Sequence, residues 1–158
     1  MFVFIYLSVW ILCREMTMIH GSKLGDRSSD VSVSGFSASV RTGKYLVRGQ
    51  IVRFDKVWSN IGNDYDPQSG IYTAPQGGAY HFSCTVMSSG NTVIRVSLMK
   101  NNLRTVANFA RGSNSATLNI VLDLKEGDKI CIRQVHYGNY IYSEPSYNFS
   151  MFSGFLIA

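Results

Sequence analysis

From Val31 to the end of the chain, turn signals recur roughly every 12 residues, and the segments between them alternate apolar with polar side chains. Few folds tolerate that rhythm, and it predicts consecutive antiparallel strands of a sandwich or barrel. The clearest signal is Asp66-Pro67-Gln68-Ser69-Gly70, where Pro67 presets φ at the second position and Gly70 permits positive φ as the chain turns out. Others stand at Gln76-Gly77-Gly78, Ser89-Gly90, Asn101-Asn102, Gly112-Ser113, Glu126-Gly127 and Gly138-Asn139. Asn101-Asn102 tolerates the left-handed conformations of a two-residue hairpin. Tyr80, Phe82, Cys84 and Val86 share one face, with His81, Ser83 and Thr85 on the other. Ile94, Val96 and Leu98 form a second set, and Leu118, Ile120, Leu122 and Leu124 a third. Val31, Val33, Gly35 and Ser37 alternate with Ser32, Ser34 and Phe36, and the pattern resumes over Gln50 to Val57. No segment carries a helical period.

The closing segment, Phe152 to Ile157, directs apolar residues to both faces. One face can enter a core. The other needs a second partner, such as another subunit, unless the strand lies centrally in a covered sheet.

At 158 residues the chain suits one core. Nine Phe and nine Tyr favour β structure. Fifteen Lys and Arg against ten Asp and Glu leave a charge of +5, which biases the molecule toward anionic partners without naming one. The cations Arg41, Lys44, Arg48, Arg53, Arg95, Arg104, Arg111, Lys129 and Arg133 are scattered, as on a solvated surface. Cys13, Cys84 and Cys131 are too few and too far apart for a disulfide-stapled miniprotein or a paired-cysteine zinc site. Two unpaired cysteines are expected, one of them in the core, with Cys13 leaving in a leader. Phe2 to Leu12 is an apolar run ended by Arg14 and Glu15, the length of a secretory h-region and too short, at about 16 Å as a helix, for a membrane span. The predicted layout is a signal peptide over 1–20, a linker over 21–30 and one domain over 31–158.

In the stretch from Phe54 to Cys84, the residues Phe54, Asn60, Tyr65, Gly78, Tyr80 and Phe82 fall at the spacing of an aromatic signature. Phe36-Ser37-Ala38, Gly127-Asp128 and Phe152-Ser153-Gly154-Phe155-Leu156 add to it. Together they resemble the globular head domain of complement C1q, of the C1q and tumour-necrosis-factor superfamily. Two positions depart from the pattern: Tyr72 stands where Phe is usual, and Cys84 where an aromatic is usual. The added hydroxyl of Tyr72 needs a partner, and the volume lost at Cys84 must be refilled by neighbours such as Met87 or Met151. The resemblance implies an all-β, ten-stranded jelly roll that assembles as a homotrimer, with aromatic residues near the threefold axis. Since the chain contains no G-X-Y repeat, it resembles family members that are secreted as a stand-alone head without a collagen stalk.

The histidines His20, His81 and His136 form no catalytic constellation, no Ser or Cys sits in a nucleophile elbow, and no phosphate-binding glycine loop precedes a helix, so an enzyme is not expected. Asn60, Asn63, Asp64 and Asp66 could offer oxygens to calcium, which some family trimers carry, but their spacing suits a hydrogen-bonded turn. No other cofactor is implied. The ligand-contact candidates are Tyr137, Tyr140, Tyr142 and Tyr147, whose rings with hydroxyls suit sugars and protein epitopes. Their alternative is to pack down on the sandwich, the stronger reading for Tyr140 and Tyr142. Arg104 and Arg111 could add anion recognition. Asn148-Phe149-Ser150 is a glycosylation sequon. The resemblance implies a secreted, lectin-like protein that binds microbial glycans or other anionic surfaces in innate immunity. Its rival is a cytokine-like or organiser-type ligand for one protein receptor. Neither involves nucleic acid.

Overall fold

Two facing sheets, antiparallel except where β11 meets β7, account for the regular structure in the computed structural model, which describes residues 33–137 and 139–158. The predicted leader and linker, and Gly138, lie outside the described residues. The twelve strand segments are β1 (Gly35–Ser39), β2 (Lys44–Leu46), β3 (Lys56–Ile61), β4 (Tyr65–Asp66), β5 (Ile71–Thr73), β6 (Gly78–Met87), β7 (Val93–Lys100), β8 (Leu103–Arg111), β9 (Ser115–Leu124), β10 (Lys129–Gln134), β11 (Asn139–Ile141) and β12 (Met151–Leu156). Ten strands were expected; among the twelve segments, β2, β4, β5 and β11 are only two or three residues long. One sheet runs β3-β1-β12-β6-β9; the other runs β2-β11-β7-β10-β5-β4, with β8 also paired to β7.

The predicted alternations set the inward faces of β6, β7 and β9, where Tyr80, Phe82, Cys84, Val86, Ile94, Val96, Leu98, Leu118 and Leu124 are buried. In β1 the alternation has the opposite sense from its apolar content: Val33 points out, while Ser34, Phe36 and Ala38 are buried. The segment from Gln50 to Val57 is not the strand its pattern predicts. It is extended chain with a single bridge, Ile51 to Arg133, and strand pairing begins only at Lys56. Val52 and Phe54 are nevertheless fully buried. The Asn101-Asn102 hairpin forms as expected, with φ of 49° and 68°.

Rings from both sheets fill the core. Phe36 stacks on Tyr65 at 4.5 Å and on Tyr72 at 5.2 Å and meets Phe152 edge-on at 4.9 Å. Each buried ring of this kind stabilises by about 1.5–3 kcal/mol, with about 0.5–1.5 more for a favourable ring pair. The hydroxyls are matched: Tyr65 donates to Phe54 O and accepts from Phe54 N, both at 3.2 Å, and Tyr72 pairs with Ser34 Oγ at 2.6 Å. Burial raises both phenol pKa values well above normal. Asn60 braces this turn, donating to Tyr65 O at 2.8 Å and accepting from Tyr65 N at 3.2 Å. Gly154 must be glycine because the Phe82 ring lies where a side chain would begin.

Cys84 lies in the core beside Phe152 and Leu118 on the neighbouring strands. The expected fillers do not reach it. Met87 and Met151 occupy outward positions of β6 and β12, because an odd offset on a strand changes the face. Both described cysteines are free, as expected; Cys84 lies in the core, and Cys131, though buried, faces outward on β10 opposite Met99. Burial raises each thiol pKa, so neither is poised as a nucleophile.

Candidate ligand-recognition surface

The four candidate tyrosines form no single platform; they divide by their partners. Tyr137 is 70% exposed and lies under Arg48, which donates to its hydroxyl at 3.1 Å and sits 5.0 Å from its ring centroid. Tyr140 is half-buried against Tyr45 at 4.8 Å. Tyr142 is half-buried, stacked on Phe149, with its hydroxyl donating to Glu144. Tyr147 stacks on the same Phe149 at 5.5 Å and is 69% exposed. Tyr140 and Tyr142 thus pack against neighbouring rings, and Tyr137 and Tyr147 stay exposed.

Close to Tyr147 lies a ring that the sequence pattern does not single out. Trp58 is exposed on β3, with Lys56 Nζ 4.3 Å from its ring and its own indole N–H donating to Ser39 Oγ at 3.0 Å. Lys56 also donates to Pro145 O at 3.3 Å, tying β3 to the loop that carries Tyr147. Ser39 in turn donates to Asn148 Oδ1 at 3.2 Å. The other end of the sequon is enclosed: Ser150 is buried, donating to Tyr142 O and accepting from Met87 N.

Arg104 and Arg111 stand on the outward face of β8, and strand pairing brings two further arginines to the same face. Arg133 on β10 is opposite Ser97 of β7, and Arg95 of β7 is opposite Phe109 of β8. Arg104 is opposite Met99 and Arg111 opposite Val93. Arg104 and Arg111 are an odd offset apart, so a period of two alone would turn them to opposite faces; the register shift between Ser97 and Met99 brings Arg104 to the face of Arg111. What the sequence lacks is the pairing of β10 with β7, so residues about 40 positions apart read as scattered.

The acidic cluster forms turns. Asp66 accepts from Gln68 N, Ser69 N and Ser69 Oγ, bonds that lower its pKa, and Asp64 accepts from Ser34 Oγ at 2.6 Å. Those oxygens are thus used within the turns, as the hydrogen-bonding reading of the cluster has it. Among the described residues no group of three or more His, Cys, Asp or Glu could hold a metal ion.

Of the signature residues, Phe54, Tyr65, Tyr72, Tyr80, Phe82 and Phe152 are buried in the core. Gly78 and Gly154 allow close approach by Ala158 and Phe82, and Gly127 holds a left-handed turn at φ 81°. Asp128 accepts from Lys125 N at 2.9 Å, from Asn101 Nδ2 at 2.7 Å and from Lys100 at 3.0 Å. Phe155 differs from these. It points outward and is 50% exposed, in a row running Ile61, Gly35, Phe155, His81, Val121 across the five-stranded sheet. The final strand is therefore central in its sheet, yet its outer apolar face is uncovered.

A family profile described as the C1q domain matches residues 35–157. The chain belongs to the C1q domain family. One of the polypeptides of the human complement C1q subcomponent is 32% identical over 128 residues, covering 77% of this chain and 49% of that protein. The chain thus spans about half the length of that curated relative. The solved globular domain of zebrafish complement 1qA superposes with a TM-score of 0.57 at 21% identity, covering 79% of this chain and 98% of that one. The Eiger TNF of S. frugiperda gives 0.61 at 13% identity, covering 80% and 92%. At those identities the likeness shows the fold, the C1q and TNF jelly roll. A C1q domain of this kind is a non-enzymatic recognition or signalling module. No helix among the described residues is long and apolar enough to cross a membrane.

Proposed function

We propose that this C1q domain is secreted behind a cleaved leader and acts in innate immunity as a lectin-like pattern-recognition protein. It binds microbial glycans or other anionic surface ligands as a homotrimer. Family membership supports an extracellular ligand-binding role. The observation that carries the finer reading is the exposed ring surface of the 136–149 loop: Tyr137 and Tyr147 each present a ring and a hydroxyl, held by Arg48 and Phe149. Flat apolar faces with polar rims suit sugar rings. The uncovered row through Phe155 supports self-association, and three weak sites on one particle gain avidity without new contacts. Glycan-array and whole-bacterium binding by the purified oligomer tests the reading. Binding should fall about tenfold or more in a Tyr137→Ala/Tyr147→Ala variant and persist in chelator, and absence of binding at high ligand density would sink it.

The fold likeness to a TNF favours a second reading, a cytokine-like or organiser-type ligand for one protein receptor. That ligand would give saturable cell binding unaffected by added sugars. The lectin-like protein would be competed by glycans.

A further inference from the structure

The outward face of the seven-stranded sheet carries four cross-strand rows: Ile71, Cys131, Met99, Arg104; then Ile51, Arg133, Ser97, Ala107; then Arg95, Phe109; then Val93, Arg111. Lys129 flanks the first row, opposite Thr73. Asp66 extends the first row beyond Ile71, four strands from Arg104, and its carboxylate is engaged by Gln68 and Ser69 within its own turn. Diagonal neighbours on adjacent strands, such as Arg133 and Arg95 or Arg95 and Arg111, are separated by about 7–8 Å. Arg104 and Arg111 can therefore each take an oxyanion group, while the field of all four adds. At the centre of the rows, Ser97 Oγ and Arg133 Nε are buried without a hydrogen-bond partner, and Arg133 Nη2 is held by Asn102 Oδ1 at 2.7 Å. Arg133 is thereby fixed in the sheet, and the exposed Arg104 and Arg111 on the same face are the groups an arriving oxyanion can reach.

We propose that this arginine face is the anion-binding surface of the protein, and that its ligand is a polysaccharide bearing sulfate or phosphate esters. The inference rests on the glycan-binding reading above and assigns the charged part of that ligand to the sheet. Arginine forks bind such groups bidentately, which solvated lysines do not. A flat sheet suits an extended polymer. Single-stranded nucleic acid fits less well, because it gains affinity by stacking bases on aromatic faces. The exposed ring in these rows, Phe109, has the Arg95 guanidinium 5.0 Å from its centroid. The face lies opposite the uncovered apolar row of the other sheet, so self-association through Phe155 leaves every arginine face pointing outward.

The test measures binding of the secreted oligomer to immobilised heparin, phosphomannan, desulfated heparin and charge-matched oligo-dT over a salt series. Heparin separates a sulfate source from the phosphate of phosphomannan. Tight, salt-dependent binding to either is expected, with desulfated heparin weaker. The R104A/R111A variant, changed only at exposed positions, should lose roughly ten- to a hundredfold and show a shallower salt slope, at unchanged thermal stability and oligomer mass. Tyr137→Ala/Tyr147→Ala should leave heparin binding within about twofold while weakening binding to neutral glycans. Unchanged heparin affinity in R104A/R111A, no binding to either polyanion by the parent, or preference for oligo-dT would each overturn the inference. Failure on polyanions with retained binding to neutral glycans removes this surface alone; failure on both classes removes the glycan reading itself.

Discussion

The two outward faces of the sandwich are built from the same kind of strand and finish in opposite chemistry. On the five-stranded sheet the row Ile61, Gly35, Phe155, His81, Val121 is followed by Ser59, Ser37, Ser153, Ser83, Asn119, and neither row contains an Asp, Glu, Lys or Arg. On the seven-stranded sheet, arginine stands in each of the four rows. Depletion of charge with exposed apolar side chains is the pattern of an interface centre, and concentration of one sign is the pattern of a surface that meets a charged partner in water. The proposed division into a self-association face and a ligand face rests on this difference.

The largest effect should come from breaking the first face. Phe155→Asp puts a charge in the middle of the apolar row, where each buried ring would otherwise contribute about 1.5–3 kcal/mol to assembly. Light scattering should then report single-chain mass, with polyanion binding reduced to its weaker monovalent form. An oligomer unaffected by this change would move the interface elsewhere. The adjacent residue sharpens the contrast. Gly154 faces the core, and an alanine there meets the ring of Phe82, with Phe36 next in line. Gly154→Ala should cost about 1–3 kcal/mol in urea unfolding and leave the mass of the folded fraction unchanged. Ser153→Ala, on the outer face of the same strand, is the control. Equal destabilisation by both would contradict the assigned facing of β12.

How much of this is legible in the sequence differs between the two faces. Core positions and the fold class follow from period-two alternation and from the aromatic signature, because those are local patterns. The outer apolar face is legible at Phe155, where one strand carries rings on both sides. It is invisible at Ile61, since β3 gains its place only through pairing with β1. The arginine face is the least legible. Its residues come from three strands, and Arg95 and Arg133 meet only because β10 returns beside β7. The tyrosines mislead in a complementary way: close together in sequence, they suggest one loop surface, and the structure gives Tyr140 to Tyr45 and Tyr142 to Phe149. The same limit explains the refilling of Cys84, where the facing of Met87 and Met151 follows from strand parity but the true neighbours do not.

The smallest predicted effect concerns what holds the arginine sheet in register. Asp128 lies in the turn before β10, and its carboxylate pKa is lowered to about 2 by the Lys125 N–H, then by Asn101 Nδ2 and Lys100. Asn101 is the first residue of the β7–β8 hairpin tip, so this carboxylate ties the strand carrying Arg104 to the strand carrying Arg133. An unfolded aspartate ionises near 3.9, by the reference value for the free side chain, and the folded value is lower. The contribution to stability is therefore present above about pH 4 and is lost as the pH falls toward about 2. It is small because the group is solvated. Melting temperatures at pH 5 and pH 2.5 should differ less in Asp128→Asn than in the parent. If Asp128→Asn retained the full pH response, the tie between these strands would have to reside in backbone pairing alone. The arginine face would then hold its spacing without help from its acidic neighbour at the hairpin.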